Sequence, residues 1–155
     1  MKKQSVDILV ISLSAPVLVG IYHKNGLIEK FQSDRKTTDI LPKIFDDILT
    51  KYEIEKLFFA RGPGSFMSIK ITYIFLHTLS IALNVPLFAT DGFAFNNNSP
   101  IKAIGSLYFI QENGNITPRK IDTKIKKIMP FALPKHLDTK IFSKDTKPLY
   151  ILPAV

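Results

Sequence analysis

Three histidines, His23, His77 and His136, are the side chains best suited to metal or proton chemistry, and their positions have no ligand or dyad spacing. His77 lies in a long apolar stretch with no carboxylate three or four residues to either side. Asp46 and Asp47 are adjacent on the polar side of an amphipathic stretch, where they solubilise rather than act as an acid/base pair. There is no cysteine, which excludes disulfides, thiolate metal sites and cysteine nucleophiles and fits a reducing cytoplasm, the expected location. Walker A, His-Glu-x-x-His and Gly-x-Ser-x-Gly patterns are all missing. No catalytic or metal-ligating residue is therefore assigned.

One local motif stands out, Gly62-Pro63-Gly64-Ser65-Phe66 after Arg61. Two glycines flanking a proline make a tight turn, and Ser65 is placed to cap the helix that follows, whose free N–H groups could receive an anion. The loop lacks the Lys-Ser/Thr pair of a phosphate cradle, so a well-formed strand-to-helix turn is the simpler reading. The helix itself, from about Phe66 to Leu83, is more informative. At 100° per residue its apolar side chains spread around nearly the whole circumference, and only Lys70 and His77 mark a firmly polar stripe. A helix on one face of a small sheet needs one apolar stripe, so the surplus favours a protein partner over cover from the rest of a short chain.

The elements that position this loop and helix are legible upstream. Residues 5–13, 16–23 and 26–32 read as strands rich in Val, Ile and Leu, broken at Ala15-Pro16 and at the hairpin signal Lys24-Asn25-Gly26. Thr38 or Asp39 caps a helix over 39–52 whose apolar positions recur at helical spacing, with Pro42 in its first turn. Leu57 to Ala60 is a fourth strand and Leu87 to Thr90 a fifth, making 57–90 the strand–helix–strand crossover that parallel strands require. The order βββαβαβ predicts a mixed sheet with helices packed on it. Beyond Asn96-Asn97-Asn98-Ser99-Pro100, residues 101–111 and 116–121 suggest a hairpin around Asn113-Gly114, residues 123–129 a short helix, and Leu149 to Leu152 a last strand.

Length and charge bound the rest. With 155 residues, 46% of them hydrophobic and 22% charged, the chain is long enough for one domain, or one domain plus a small appendage, and is neither disordered nor fibrous. Lys2 and Lys3 before Ile8–Leu13 loosely resemble a signal peptide, but Asp7 interrupts the stretch and a buried first strand fits better. No run approaches the roughly 20 apolar residues of a membrane span, and no membrane association is expected. The net charge of +8 is uneven: residues 119–155 carry nine basic and three acidic side chains. Lys120, Lys124, Lys126 and Lys127 are accordingly candidate RNA contacts, with a solvated basic tail as the plain alternative.

The motif Gly62 to Phe66, then Ile69-Lys70-Ile71 and a helix closing on Ala82-Leu83-Asn84-Val85-Pro86-Leu87, resembles the signature of the TsaB (YeaZ) family, Gly-Pro-Gly-Ser-Phe-Thr-Gly-Leu-Arg followed by a helix ending in Leu-x-Ile-Pro-Leu. The upstream strands, Leu41-Pro42 before Ile44–Leu49, and the ending Lys147–Leu152 are similar too. Ser12-Leu13-Ser14 stand where the family carries Asp-Thr-Ser, so an acidic group used for phosphate and metal handling in actin-like folds is replaced.

The resemblance implies an actin-like, ribonuclease-H-like α/β domain over residues 1–95. Residues 96–155 would form a reduced second subdomain with a C-terminal strand returning to the first. It implies a non-catalytic subunit that docks TsaD and, with TsaE reached through TsaD, supports threonylcarbamoylation of adenosine 37 in tRNA. The two helices would make the contact, with Ile44 and Ile48 on the first and Met67, Ile71, Ile74, Phe75 and Thr78 on the second. Without TsaD a homodimer through the same surface is implied. No cofactor is expected within the chain, any nucleotide lying at the interface with TsaD. The competing readings are an independent RNA-binding protein and a glycoprotease- or ATPase-like enzyme of the same superfamily.

Overall fold

β1 (Gln4–Ile11) is apolar on both sides because both faces of the central sheet are covered. Val6, Ile8 and Val10 point to one core, and Leu9 and Ile11, with Leu13 just past the strand, point to the other. The computed structural model describes residues 2–124 and 127–151. β2 (Val17–His23) and β3 (Gly26–Ser33) complete the meander; Lys24 and Asn25 take positive φ of 49° and 65°, as a two-residue hairpin of this hand needs. β1 pairs antiparallel with β2 and parallel with β4 (Tyr52–Ala60), which pairs parallel with β5 (Leu87–Thr90). The sheet order is β3-β2-β1-β4-β5, the mixed sheet expected from βββαβαβ. β4 is longer than the expected 57–60, because Ile54 is buried among exposed Glu53, Glu55 and Lys56 and pairs with the start of β1 across a bulge at Val6/Asp7.

α1 (Thr37–Lys51) and α2 (Phe66–Leu83) cover one face of the sheet. α1 starts earlier than expected. Lys36 precedes it without a side-chain cap, Pro42 falls in the second turn, and Thr37 is held by its hydroxyl instead. α2 has the predicted bounds, Ser65 Oγ accepting from the Ser68 N–H at 3.5 Å and Asn84 ending it in the left-handed conformation, φ 54°. Its 18 residues have a mean hydropathy of 1.5, enough by length and composition to cross a membrane, which corrects the expectation that no stretch comes near that length. In this fold the helix joins two adjacent parallel strands and buries Ile69, Thr72 and Leu76 beneath it.

The other face of the sheet is covered by irregular chain. After the 3₁₀ turn Gly92–Phe95, a second sheet of β6 (Ile101–Lys102), β7 (Leu107–Glu112) and β8 (Asn115–Lys120) forms in the order β6-β7-β8 around Ile101 and Phe109. The chain then returns. Leu27 N–H donates to the Lys135 carbonyl, Leu137 N–H to Asn25, and Ala89 and Ser143 exchange both bonds, so residues 131–143 bring Phe131, Leu133, Leu137 and Phe142 onto the sheet. The short helix expected over 123–129 does not form among its described residues: Asp122 Oδ1 caps a turn at Lys124, and the Met129 N–H is taken by Ser99 Oγ rather than by its own chain. Residues 125 and 126 lie outside the described residues. Nor do Leu149–Ile151 form a strand; a backbone bond from Leu149 N–H to the Arg61 carbonyl at 2.8 Å ties them down, and Leu152 lies outside the described residues.

Candidate protein-docking surface

The loop after β4 is where the parts of the fold are fastened. Gly62 has φ +132°, and a Cβ there would sit 2.6 Å from the Leu149 carbonyl oxygen. Gly64 lets the backbone pass Leu13, where a Cβ would lie 2.6 Å from that residue's carbonyl. The same Leu13 carbonyl accepts the Ser65 N–H at 2.9 Å, Gly92 N–H donates to the Gly62 carbonyl, and Arg61 N–H to Thr90. The Arg61 guanidinium donates to the Lys147 carbonyl at 3.0 Å and faces Asp145 at 3.8 Å. Pro63 is buried with the glycines, and the Phe66 ring meets Tyr150 edge-on at 5.3 Å. These contacts account for the motif as a structural clasp. They take up the Ser65 and Ser68 N–H groups, two of the donors that an anion would have used.

Ser12, at the end of β1, is buried. Its hydroxyl bonds Thr37 Oγ1 at 2.8 Å, which in turn reaches Ser68 Oγ at 3.4 Å. The strand end where the TsaB family carries an acid therefore ties together the first turns of α1 and α2. Among the described residues no group of three or more His, Asp or Glu side chains is placed to hold a metal ion.

Between α1 and α2 runs a groove of about 400 Å³ walled by Leu41 and Pro42 on one side and Ile71, Ile74, Phe75 and Leu79 on the other. Phe75, which lines the groove, packs edge-on at 5.2 Å against the buried Phe45 of the core. Above the groove the outer side of α2 exposes much hydrocarbon, with Met67 66% exposed, Ile74 51% and Ile81 71%, next to the exposed polar side chains Lys70 and His77. The C-terminal segments that could have covered this helix lie across the opposite face of the sheet.

Of the residues expected to contact a partner, Ile71, Ile74, Phe75 and Thr78 line the groove and Met67 stands exposed beside Phe66. Ile44 and Ile48 do not belong with them. At 5% and 0% exposure they form the core between α1 and the sheet, because an amphipathic helix turns its single apolar stripe inward. Pro42, Leu79 and Ala82 line the groove as well and Ile81 stands exposed beside it; for Leu79, Ile81 and Ala82 the sequence signal is the all-round apolar character of α2. Lys120, Lys124 and Lys127 are exposed, whereas Lys126 lies outside the described residues.

No protein-family model and no curated protein matches the sequence. Solved structures do match. YeaZ from Pseudomonas aeruginosa superposes with a TM-score of 0.60 at 16% identity, over 76% of this chain and 65% of its own. A second structure, described as an uncharacterized protein from that organism with similarity to the peptidase YeaZ, gives 0.56 at 16% identity over the same shares. The chain thus spans about two thirds of the length of the structures it matches, just under that fraction at 65%. Its five-stranded mixed sheet, the helix pair on one face and the smaller second sheet are the fold of YeaZ, an actin-like, ribonuclease-H-like architecture.

Proposed function

We propose that this chain is a non-catalytic binding subunit which docks the larger, catalytic TsaD through the α1/α2 surface and so serves tRNA threonylcarbamoyladenosine synthesis. One observation carries the reading: on a YeaZ fold, α2 exposes Met67, Ile74 and Ile81 beside an apolar groove of about 400 Å³. A contiguous apolar patch of this kind marks an interaction site. TsaE and tRNA then join through TsaD, a nucleotide, where one is used, sits at the seam, and homodimers form through the same face when TsaD is absent. Light scattering after size-exclusion chromatography tests this: the protein alone should run as a dimer and convert to a mixed complex when TsaD from the same source is added. A monomer indifferent to TsaD refutes it.

Independent RNA binding is the second reading, supported by exposed Lys120, Lys124 and Lys127 in a C-terminal stretch of high positive charge. It requires tRNA affinity without TsaD that falls linearly in log–log form with salt, and a shallower slope once those lysines are changed to Glu. Unchanged affinity in that triple variant removes it.

A further inference from the structure

On the sheet face away from α1 and α2, between the two sheets, lies a second cavity of about 500 Å³. Leu18, Ile101, Ile128 and Phe131 supply apolar walls. The cavity is stabilised as a built feature, since Ala132 N–H donates to the Phe95 carbonyl at 2.8 Å and Met129 N–H to Ser99 Oγ at 2.9 Å, which pin the 128–132 wall over the loop below. Among the described residues that line it, Lys102 is the one charged side chain, and it is exposed, at the mouth. Asn96 is at the other extreme: only 3% exposed, it donates Nδ2 to the Ser99 carbonyl at 2.9 Å and leaves Oδ1 buried with no hydrogen-bond partner. An orphaned buried acceptor is costly, and a donor reaching it relieves that cost.

Volume, hydrocarbon walls and a few polar groups of defined kind are the attributes of a small-molecule site. One cation cannot balance a polyphosphate, and no acid is present to hold an amine. We infer that this cleft binds a small amphipathic monoanion, an apolar body with one carboxylate for Lys102 and an N–H donor at the buried end for Asn96 Oδ1. The site is separate from the docking surface and stands or falls independently of it.

Indole-3-propionate has this layout, and because the chain contains no Trp, its indole fluorescence can be followed without protein background when excited beyond the tyrosine band. Saturable binding is expected, weakened roughly tenfold or more by Lys102→Met, a change at an exposed position that leaves the melting curve in place. Tryptamine, with an ammonium in place of the carboxylate, should not bind, the N-methylated acid should bind more weakly, and Ile74→Glu in the α1/α2 groove should leave the affinity unchanged. Absence of saturable binding at millimolar probe overturns the inference. So does equal affinity for the Lys102→Met protein, equal binding of the N-methyl analogue, or loss of binding in Ile74→Glu.

Discussion

Ile48 on α1 and Ile74 on α2 look alike as apolar helix residues, yet their replacement should have opposite consequences. Ile48 is fully enclosed between α1 and the sheet, so Ile48→Ala removes buried carbons from a core that can close only partly around the gap. Such changes cost about 2–5 kcal/mol. In a chain of this size about 1 kcal/mol moves the midpoint by roughly 2–4 °C, so Tm should fall by roughly 4–20 °C. Partner binding, measured below that midpoint, should be unaffected. Ile74 is half exposed and gains only about half of the ~1.5–3 kcal/mol of a full burial in the isolated chain. Ile74→Glu should therefore cost the fold about 1 kcal/mol, eased by the better helix propensity of Glu. In the complex its carboxylate would be trapped unpaired against the hydrocarbon of the groove, costing about 3–5 kcal/mol, which is roughly two to three and a half orders of magnitude in Kd. Thermal melts and light scattering with TsaD on the two variants decide the matter. A stable, TsaD-binding Ile74→Glu protein refutes the docking surface, and an Ile48→Ala protein with unaltered Tm refutes the assignment of α1's apolar stripe to the core.

Asp7 is held above its ordinary carboxylate pKa, chiefly by desolvation, which the nearby Lys56 opposes and Glu55 reinforces; its Oδ1 has no hydrogen-bond partner. Because the folded pKa is the higher one, its favourable contribution is complete below the ordinary value of 3.8 and is lost as pH rises through the folded pKa. Asp7→Asn should therefore raise Tm at neutral pH and converge with the parent protein in acid; a variant less stable at neutral pH contradicts this. Tyr22, whose phenol is pushed far up by burial, donates to the Pro134 carbonyl at 2.7 Å. Tyr22→Phe leaves that carbonyl unpaired and should cost about 1 kcal/mol, with amide exchange accelerating at Leu137 before the sheet interior; uniform acceleration would show that the bond does not anchor the segment. Gly62→Ala forces a side chain into a positive-φ position and against the Leu149 carbonyl, so about 1–3 kcal/mol should be lost in urea titration and the Leu149 amide should exchange freely, whereas retained protection there contradicts the clasp.

The α2 helix was legible to the residue because its signals are local: Ser65 caps it, Asn84 stops it, and no glycine or proline intervenes. The β2–β3 hairpin was legible for the same reason, through Asn25-Gly26. What failed depended on partners distant in sequence. The first half of β4 is a polar edge with one buried residue, Ile54, and it becomes a strand because β1 is alongside. Residues 127–130 give no sign that their backbone will be met by Ser99 rather than by one another. The placing of Ile44 and Ile48 at a partner interface is a different failure, because the information was present. A helix with one apolar stripe spends it on the core, and only a helix with more than one has any to offer a partner.

That surplus and the course of the C-terminal segment explain each other. A helix between two parallel strands of one sheet can bury only the side that faces the sheet, and here that side consists of Ile69, Thr72 and Leu76. Cover for the rest had to come from α1 or from residues beyond 91. α1 lies alongside and leaves the groove open, while the chain beyond 91 is drawn to the opposite face by Phe95, Phe131, Leu133, Leu137 and Phe142 and fixed there by bonds to Asn25, Arg61 and Ala89. One of those bonds, from Leu149 N–H to the Arg61 carbonyl, adjoins the Gly62–Phe66 clasp, which also sets the start of α2. The bare face of α2 thus follows from how the chain is shared between the two sides of one sheet. A helix apolar enough to span a bilayer, yet anchored at both ends to adjacent strands, has its hydrocarbon turned toward whatever lies beside the protein.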